Sequence, residues 1–170
     1  MPDLSSSKTV AAVRIATGVF FLFFAEYKLA DPVFASTTFP DQWLKQFIAQ
    51  GAVSFYAAFL QKVVLPHHVF FGYLVGVLEL FIGLSLVLGL WVRAASVVGV
   101  LHMINLTLAT WWAPGRDVPK WRYFGNELDH VPLLFLFLIF FSVNAGGAWG
   151  LDGVLRRRKL QKGSFFGRTE

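Results

Sequence analysis

Residues 69–112 read VFFGYLVGVLELFIGLSLVLGLWVRAASVVGVLHMINLTLATWW, and only Glu79 and Arg93 in this run belong to the charged residue types. A helix needs about 20 apolar residues to cross a bilayer core of about 30 Å. The run is long enough for two such helices, and we expect them at 69–92 and 94–112. Because Arg93 alone joins them, the two helices should lie antiparallel, as a helical hairpin.

Two further apolar runs flank this hairpin, and they cover residues 10–29 and 131–149. In the whole chain 56% of the residues are hydrophobic and 15% are charged, whereas a soluble domain carries about 25% charged residues. The 19 Phe and 6 Trp add more apolar surface than a core of this size can bury. The sequence therefore predicts an all-α integral membrane protein, a bundle of four transmembrane helices.

The segment at residues 41–65 is too polar to span a membrane and too apolar to be a free loop. Trp43 and Phe47 belong to a set of large apolar side chains at helical spacing, with lysines and glutamines between them. This pattern is typical of one or two amphipathic helices that lie at the membrane surface, with Pro66 ending the stretch. An irregular cap over the bundle is the alternative interpretation.

The basic residues indicate an orientation. We expect a single transmembrane domain over residues 1–155 and a basic cytoplasmic tail over residues 156–170. With four spans both termini lie on one side, where nine of the fifteen Lys and Arg residues fall, and the positive-inside rule then places both termini in the cytoplasm. The membrane that we expect is the cytoplasmic (inner) membrane of a prokaryote. The concentrated charge of the tail favours lipid head groups and argues against a nucleic-acid partner. Arg14 is expected to reach the head groups or to meet Asn144.

Polar side chains at membrane depth need a partner or a purpose. Glu79 lies near the middle of the second helix and shares one face with Gly76 and Gly83, and glycine lets a neighbouring helix approach. On the third helix His102 and Asn105 share a face, and at about 1.5 Å per residue Asn105 lies within about 3 Å of the depth of Glu79 and His102 within about 8 Å. These groups are able to relay a proton or to hydrogen-bond a quinone carbonyl. A purely structural hydrogen-bonded cluster is the alternative.

The composition excludes several kinds of chemistry. Without cysteine the chain itself forms no disulfide, thiolate metal site or cysteine-bound iron–sulfur cluster. The sequence contains no phosphate loop, nucleophile elbow or HExxH motif. Glu127 and His130 are spaced i, i+3, but two ligands are too few for a metal site. We therefore predict no catalytic residue, no metal site and no catalysis by this chain alone.

The order of several motifs resembles the DoxX family of small four-helix membrane proteins. From Glu79 to Arg93 the sequence follows the pattern E-x3-G-x2-L-x2-G-x3-R. The other matching residues are Arg14, Gly18, Lys28, Gly146, Gly147, Leu151 and Asp152. The resemblance implies the fold and topology. It also implies a role beside a redox enzyme, since some members are the small subunit of a thiosulfate:quinone oxidoreductase, and it makes Glu79 and Arg93 the positions of most interest.

Three functions remain open from the sequence. The first is a membrane subunit of a larger electron-transfer complex, with a quinone or lipid pocket formed by Glu79, His102, Asn105 and Arg93. The second is a structural or pigment-binding accessory subunit of a photosynthetic or respiratory complex that binds chlorophyll or carotenoid, with His102 or His130 as the first candidate ligand of a magnesium or haem centre. The third is a small-solute or proton transporter. The expected partners are membrane lipid and other subunits of a membrane complex.

Overall fold

The computed structural model describes residues 8–31, 34, 39–111 and 130–166, and every regular element in these ranges is helical. In chain order the helices are α1 (Lys8–Leu29), α2 (Phe39–Gln50), α3 (Ser54–Phe59), α4 (His68–Leu88), α5 (Val92–Ala109), α6 (His130–Ser142) and α7 (Leu151–Phe166). A π-helical turn, Leu60–Val64, and a 3-10 turn, Leu65–His67, join α3 to α4. The first part of the predicted basic tail lies within α7.

Three helical segments are long and apolar enough to cross a membrane, and they are Lys8–Leu29, Ser54–Leu88 and Val92–Ala109. The fourth apolar helix, α6, is shorter, with 13 residues. Large apolar side chains cover the outer faces of the bundle, as shown by Phe20 and Phe70, which are 64% and 63% exposed. Such a surface is unfavourable in water and suits lipid. The predicted fold class, an all-α bundle of membrane helices, is confirmed.

The bundle is built from two tightly packed helix pairs, α1 with α4 and α5 with α6. Where α1 crosses α4, a Cβ on Gly18 would lie 2.9 Å from the carbonyl oxygen of Gly83, so glycine is needed for this close approach. In the second pair, a Cβ on Gly99 would lie 2.5 Å from the ring of Phe137. The rings of Phe21 and Phe137, with centroids 5.4 Å apart, join the two pairs in the core.

The α4–α5 hairpin turns before Arg93. Helix α4 ends at Leu88 because Gly89 adopts a left-handed conformation with φ 63°. Helix α5 begins at Val92, so Arg93 lies in its first turn. The sequence predicts the junction between the two helices at Arg93. The backbone instead reverses at Gly89, because glycine adopts a positive φ without steric cost.

Helix α6 ends at Ser142, whereas the apolar run predicts a helix as far as Trp149. The residues between them form a turn in which Asn144 and Trp149 both have positive φ, 49° and 48°. A Cβ on Gly146 would lie 2.5 Å from Asp152 Oδ2, so this turn also packs against the start of α7. Hydropathy counts these residues as part of the span, but their backbone conformations end the helix.

The segment predicted at the membrane surface, residues 41–65, contains α2 and α3. It packs on the ends of α4 and α5 through a buried apolar cluster that includes Leu60 and Ala109. Pro66 does not end the segment, because the 3-10 turn holds it at a position where its missing N–H is not needed. Helical structure therefore continues from α3 into α4. The depth of this segment in the membrane stays a prediction.

Candidate functional site

Three ionisable side chains from three helices meet inside the bundle, and they are Lys28 of α1, Glu79 of α4 and His102 of α5. Lys28 Nζ donates a hydrogen bond to Glu79 Oε1 over 2.9 Å and lies 2.8 Å from Glu79 Oε2. His102 Nε2 lies 3.3 Å from the same Oε1. The side chains of Glu79 and His102 are 5% and 3% exposed, and that of Lys28 is 17% exposed. We call this group the Lys28–Glu79–His102 cluster.

A glycine on α4 brings α1 close enough for the ion pair. A Cβ on Gly76 would lie 2.8 Å from Leu29 Cδ2 and 3.1 Å from Lys28 Cβ, so the end of α1 packs directly on the α4 backbone. The Cβ of Lys28 therefore lies opposite Gly76, about one helical turn from Glu79, and the long lysine side chain spans that distance. The ammonium group also lies 5.4 Å from the centre of the Phe24 ring, which adds a cation–π contact.

The electrostatics of the cluster depend on both charges being present. In surroundings of low polarity Lys28 and Glu79 stabilise each other, whereas either charge alone is costly. Glu79 Oε1 takes the contacts of both Lys28 and His102. Glu79 Oε2 faces Nζ but accepts no hydrogen bond of good geometry. The carboxylate therefore keeps a lone pair for a further donor.

The four predicted cofactor-binding residues do not form one group. Glu79 and His102 are in contact, although residue counting places Asn105 nearer than His102 to the depth of Glu79. Asn105 lies one turn further along α5, where its side-chain oxygen accepts a hydrogen bond from the hydroxyl of Tyr56. Arg93 lies nine residues before His102, about 14 Å along the helix axis, and its guanidinium contacts α6. Arg93 is therefore separated from the other three residues.

Lys28 and Tyr56 are members of this polar region that sequence reasoning misses. A lysine at the end of an apolar run is ordinarily read as an anchor that reaches the membrane surface. The signal for Lys28 is the antiparallel register in which Gly18 packs on Leu86, because the same register places Lys28 opposite Gly76. Tyr56 has no comparable signal, since its position depends on how α3 packs on the bundle.

A second buried polar group lies about 21 Å from Lys28 along α1. Arg14 is fully buried, and its Nη2 donates a hydrogen bond to the carbonyl oxygen of Trp149 over 3.1 Å. The guanidinium lies between Gly89 and Gly150, and neither residue has room for a Cβ. The expectation that Arg14 reaches the head groups or meets Asn144 is wrong, because the turn after α6 folds over the guanidinium.

Asp152 connects this second region to the hairpin. Its carboxylate accepts hydrogen bonds from the N–H groups of Trp91, over 2.9 Å, and Val92, over 3.1 Å. These donors stand at the start of α5, where helices leave N–H groups without intrahelical partners. The N–H of Asp152 in turn donates to the Gly89 carbonyl oxygen over 2.9 Å. One residue thus ties the start of α7 to the α4–α5 turn.

The described residues contain no group of three or more His, Cys, Asp or Glu side chains that could hold a metal ion. Glu127, the neighbour of His130 in sequence, lies outside the described residues. So do all the other residues of the range 112–129.

The fold and the cluster together define an integral membrane helical bundle with an ion pair held among apolar helices. A model of the DoxX family matches residues 9–113, which is more than half of the chain. The match includes Lys28, Glu79 and His102. The chain belongs to the DoxX family and is a membrane protein of that family. No curated protein and no solved structure matches the sequence.

Proposed function

We propose that this DoxX family protein is the membrane subunit of an electron-transfer complex, in which the Lys28–Glu79–His102 cluster lines a quinone pocket. The observation that carries the proposal is the meeting of three ionisable side chains from three helices within an apolar bundle, with Glu79 and His102 buried. Such groups are costly in hydrocarbon and commonly mark proton paths or ligand sites. A partner subunit would supply the electrons, as the resemblance to subunits of redox enzymes implies.

The donors and acceptors of the cluster suit a quinone head group. A quinone accepts hydrogen bonds at its carbonyl oxygens, and its reduction takes up protons as well as electrons. Lys28 has three N–H groups, and Glu79 accepts a hydrogen bond from one of them, so donors remain for a carbonyl oxygen. The Lys28 side chain is partly exposed at the surface of the apolar bundle, which is where a lipid-soluble ligand would approach.

Glu79 and His102 form the proton-carrying part of the proposed site. A carboxyl group and an imidazole in hydrogen-bonding contact are suited to pass a proton between them. Asn105 and Tyr56 continue the polar side chains towards the segment that covers this end of the bundle. In this proposal Lys28 orients the head group, His102 passes a proton to the Glu79 carboxylate, and Glu79 passes it on to the reduced quinone. His102 then regains a proton from the aqueous side, and the transfer occurs once for each of the two protons, while the partner subunit supplies the two electrons.

Replacing Glu79 by Gln tests the proposed role. The intact complex is extracted from its native membrane in mild detergent, and its turnover with a soluble quinone is measured. We expect Glu79→Gln to lower turnover at least about tenfold, because an amide cannot take up and release the proton. Glu26→Gln, an exposed position on α1, is the matched control and should retain full turnover. Full turnover of a Glu79→Gln complex with unchanged subunits would contradict the proposal.

Proton or solute transport is a second candidate, supported by the same cluster, because transporters also place ionisable groups among their helices. The two functions differ in what the isolated chain does. A transporter should carry protons or solute across the membrane of a vesicle when reconstituted alone, and the flux should depend on Glu79. A subunit of a redox complex should be inactive in that assay.

The pigment-binding alternative has less support from the geometry. His102 Nε2 contacts Glu79, so this ring nitrogen is not available to a magnesium or haem centre while the contact is made. A purified complex with His102→Ala whose absorption spectrum matches the wild type would exclude His102 as such a ligand.

We also propose that the protein lies in the cytoplasmic membrane of a prokaryote with both termini in the cytoplasm. The distribution of basic residues supports the orientation. Because the chain contains no cysteine, a single introduced cysteine can be labelled without background. In intact cells a membrane-impermeant maleimide should label the Lys45→Cys variant, and it should label Lys159→Cys only after lysis. The reverse pattern would invert the proposed orientation.

A further inference from the structure

Helix α7 starts at an end of the bundle that carries two exposed tryptophans. Trp91 and Trp149 are 64% and 61% exposed, and both have positive φ. Tryptophan at the ends of membrane helices is enriched at the boundary between hydrocarbon and head groups. These two residues thus mark the level at which the bundle leaves the hydrocarbon.

The first turn of α7 is fixed to that level by buried contacts. Asp152 accepts hydrogen bonds from the N–H groups of Trp91 and Val92, and Arg14 donates one to the Trp149 carbonyl oxygen. A Cβ on Gly153 would lie 2.2 Å from the Gly147 carbonyl oxygen, so the helix start has no room to shift. The start of α7 is therefore held in a fixed position against the end of the bundle.

Four consecutive cations, Arg156 to Lys159, follow in α7, and all four are exposed. Successive residues of an α-helix point about 100° apart, so four in a row surround the helix. They begin five residues after Leu151, the first residue of α7, so the first of them lies at most about 8 Å from the start of the helix. A head-group layer is about 5–8 Å thick, so the four cations stay within reach of it. We call these four residues the basic ring.

Among the residues that the structure describes, acidic side chains offer little to neutralise the basic ring. Asp152 is the only acidic residue of α7, and its carboxylate is used at the start of α5. Arg157 contacts a carbonyl oxygen of its own helix, that of Gly153. Leu160, directly after the ring, is 69% exposed, so an apolar side chain stands beside the cations. Basic and apolar side chains together match a phospholipid, which offers a phosphate and an acyl chain.

We infer that the basic ring is a binding site for anionic phospholipids, whose phosphate groups it contacts around the circumference of α7. Each basic side chain near an anionic membrane surface strengthens the attraction about fivefold. Four cations held at one level therefore select anionic over zwitterionic lipids. This inference is independent of the quinone proposal, since the ring lies at the end of the bundle opposite the α2–α3 segment.

Lipid retention tests the inference. The full chain is reconstituted in nanodiscs of mixed phosphatidylcholine and phosphatidylglycerol, and the lipids that stay bound are identified by native mass spectrometry. The wild type should retain phosphatidylglycerol at least about tenfold over its share of the mixture, and added salt should reduce this preference. The variant R156Q/R157Q/R158Q/K159Q should lose it. Because these side chains are exposed, the variant should melt at the wild-type temperature in phosphatidylcholine alone.

The variant K45Q/K62Q is the charge control, since these lysines lie on the α2–α3 segment and the turn that follows it. It should retain the wild-type preference. The inference fails if the basic-ring variant selects phosphatidylglycerol as the wild type does, or if the control loses the preference equally. It also fails if the wild type in phosphatidylglycerol nanodiscs binds a soluble double-stranded DNA through the ring, because the ring would then lie beyond the head groups.

Discussion

At the residue scale, the contact between Lys28 and Glu79 makes each charge depend on the other. Lys28→Met removes the ammonium group and leaves a buried carboxylate, which should lower the free energy of unfolding by about 3–5 kcal/mol. The double variant Lys28→Met/Glu79→Gln buries no charge and should recover most of that loss. Denaturant unfolding in detergent, followed by the helical signal, measures these two variants and Glu79→Gln alone. If the stability losses of the two single variants add up to the loss of the double variant, the ion pair contributes no coupling energy.

Tyr56 gives a second test at this scale. Tyr56→Phe removes only the hydroxyl that donates to Asn105, and the lost hydrogen bond should cost about 1 kcal/mol of unfolding free energy. Tyr73→Phe on α4, whose ring is 43% exposed, is the matched control and should have almost no effect. Equal stability of the two variants would mean that the Tyr56 hydroxyl gains nothing from Asn105.

At the scale of elements, the α1–α4 pair depends on glycine at its crossing point. Gly18→Ala would put a Cβ 2.9 Å from the Gly83 carbonyl oxygen and 2.9 Å from Leu86 Cβ, so the helices must separate. We expect a loss of about 1–3 kcal/mol, visible as a lower melting temperature in detergent. Gly72→Ala, at a partly exposed position of α4, should melt at or above the wild-type temperature. A neutral Gly18→Ala would contradict the observed helix separation.

In this protein, apolar runs predict where the helices lie better than they predict where the helices end. The length of a span follows from bilayer thickness, so α1, α4 and α5 are found close to the expected positions. The ends follow from backbone conformation, which hydropathy does not report. Gly89 ends α4, and the positive φ of Asn144 belongs to the turn that closes α6. Likewise, whether Pro66 ends a helix depends on its position within a turn, which hydropathy does not report.

At the scale of the whole molecule, Asp152 makes the start of α7 part of the bundle, so the boundary predicted after residue 155 can be tested. A chain ending at residue 155 keeps the carboxylate that caps α5, whereas a chain ending at residue 150 lacks it. The shorter chain should lose about 0.5–2 kcal/mol of stability from the cap, and hydrogen exchange at the Trp91 and Val92 amides should accelerate. The longer chain should behave like the full protein. Equal exchange in both would show that the cap is dispensable.

The candidate site is predictable only in part, because its members lie on separate helices. Counting residues from one turn relates Glu79 to His102, since α4 and α5 are consecutive and antiparallel. No such count reaches Lys28, which depends on how α1 packs against α4. Arg93 illustrates the opposite error, because a shared sequence motif does not place two residues at one depth. Arg14 is buried by a turn of the chain that follows it by 135 residues, which no local pattern reports.

That long separation has a consequence for synthesis. Helix α1 is synthesised before the turn that follows α6 and carries Arg14 into the membrane, but the carbonyl oxygen that accepts its hydrogen bond belongs to Trp149. The carboxylate that caps α5 comes 61 residues after Trp91, whose amide it binds. The Arg14 guanidinium and the N–H groups at the start of α5 therefore lack these partners until residues 149–152 are synthesised. A nascent chain that stops before Trp149 differs from the folded protein by an unpaired guanidinium and an uncapped helix start.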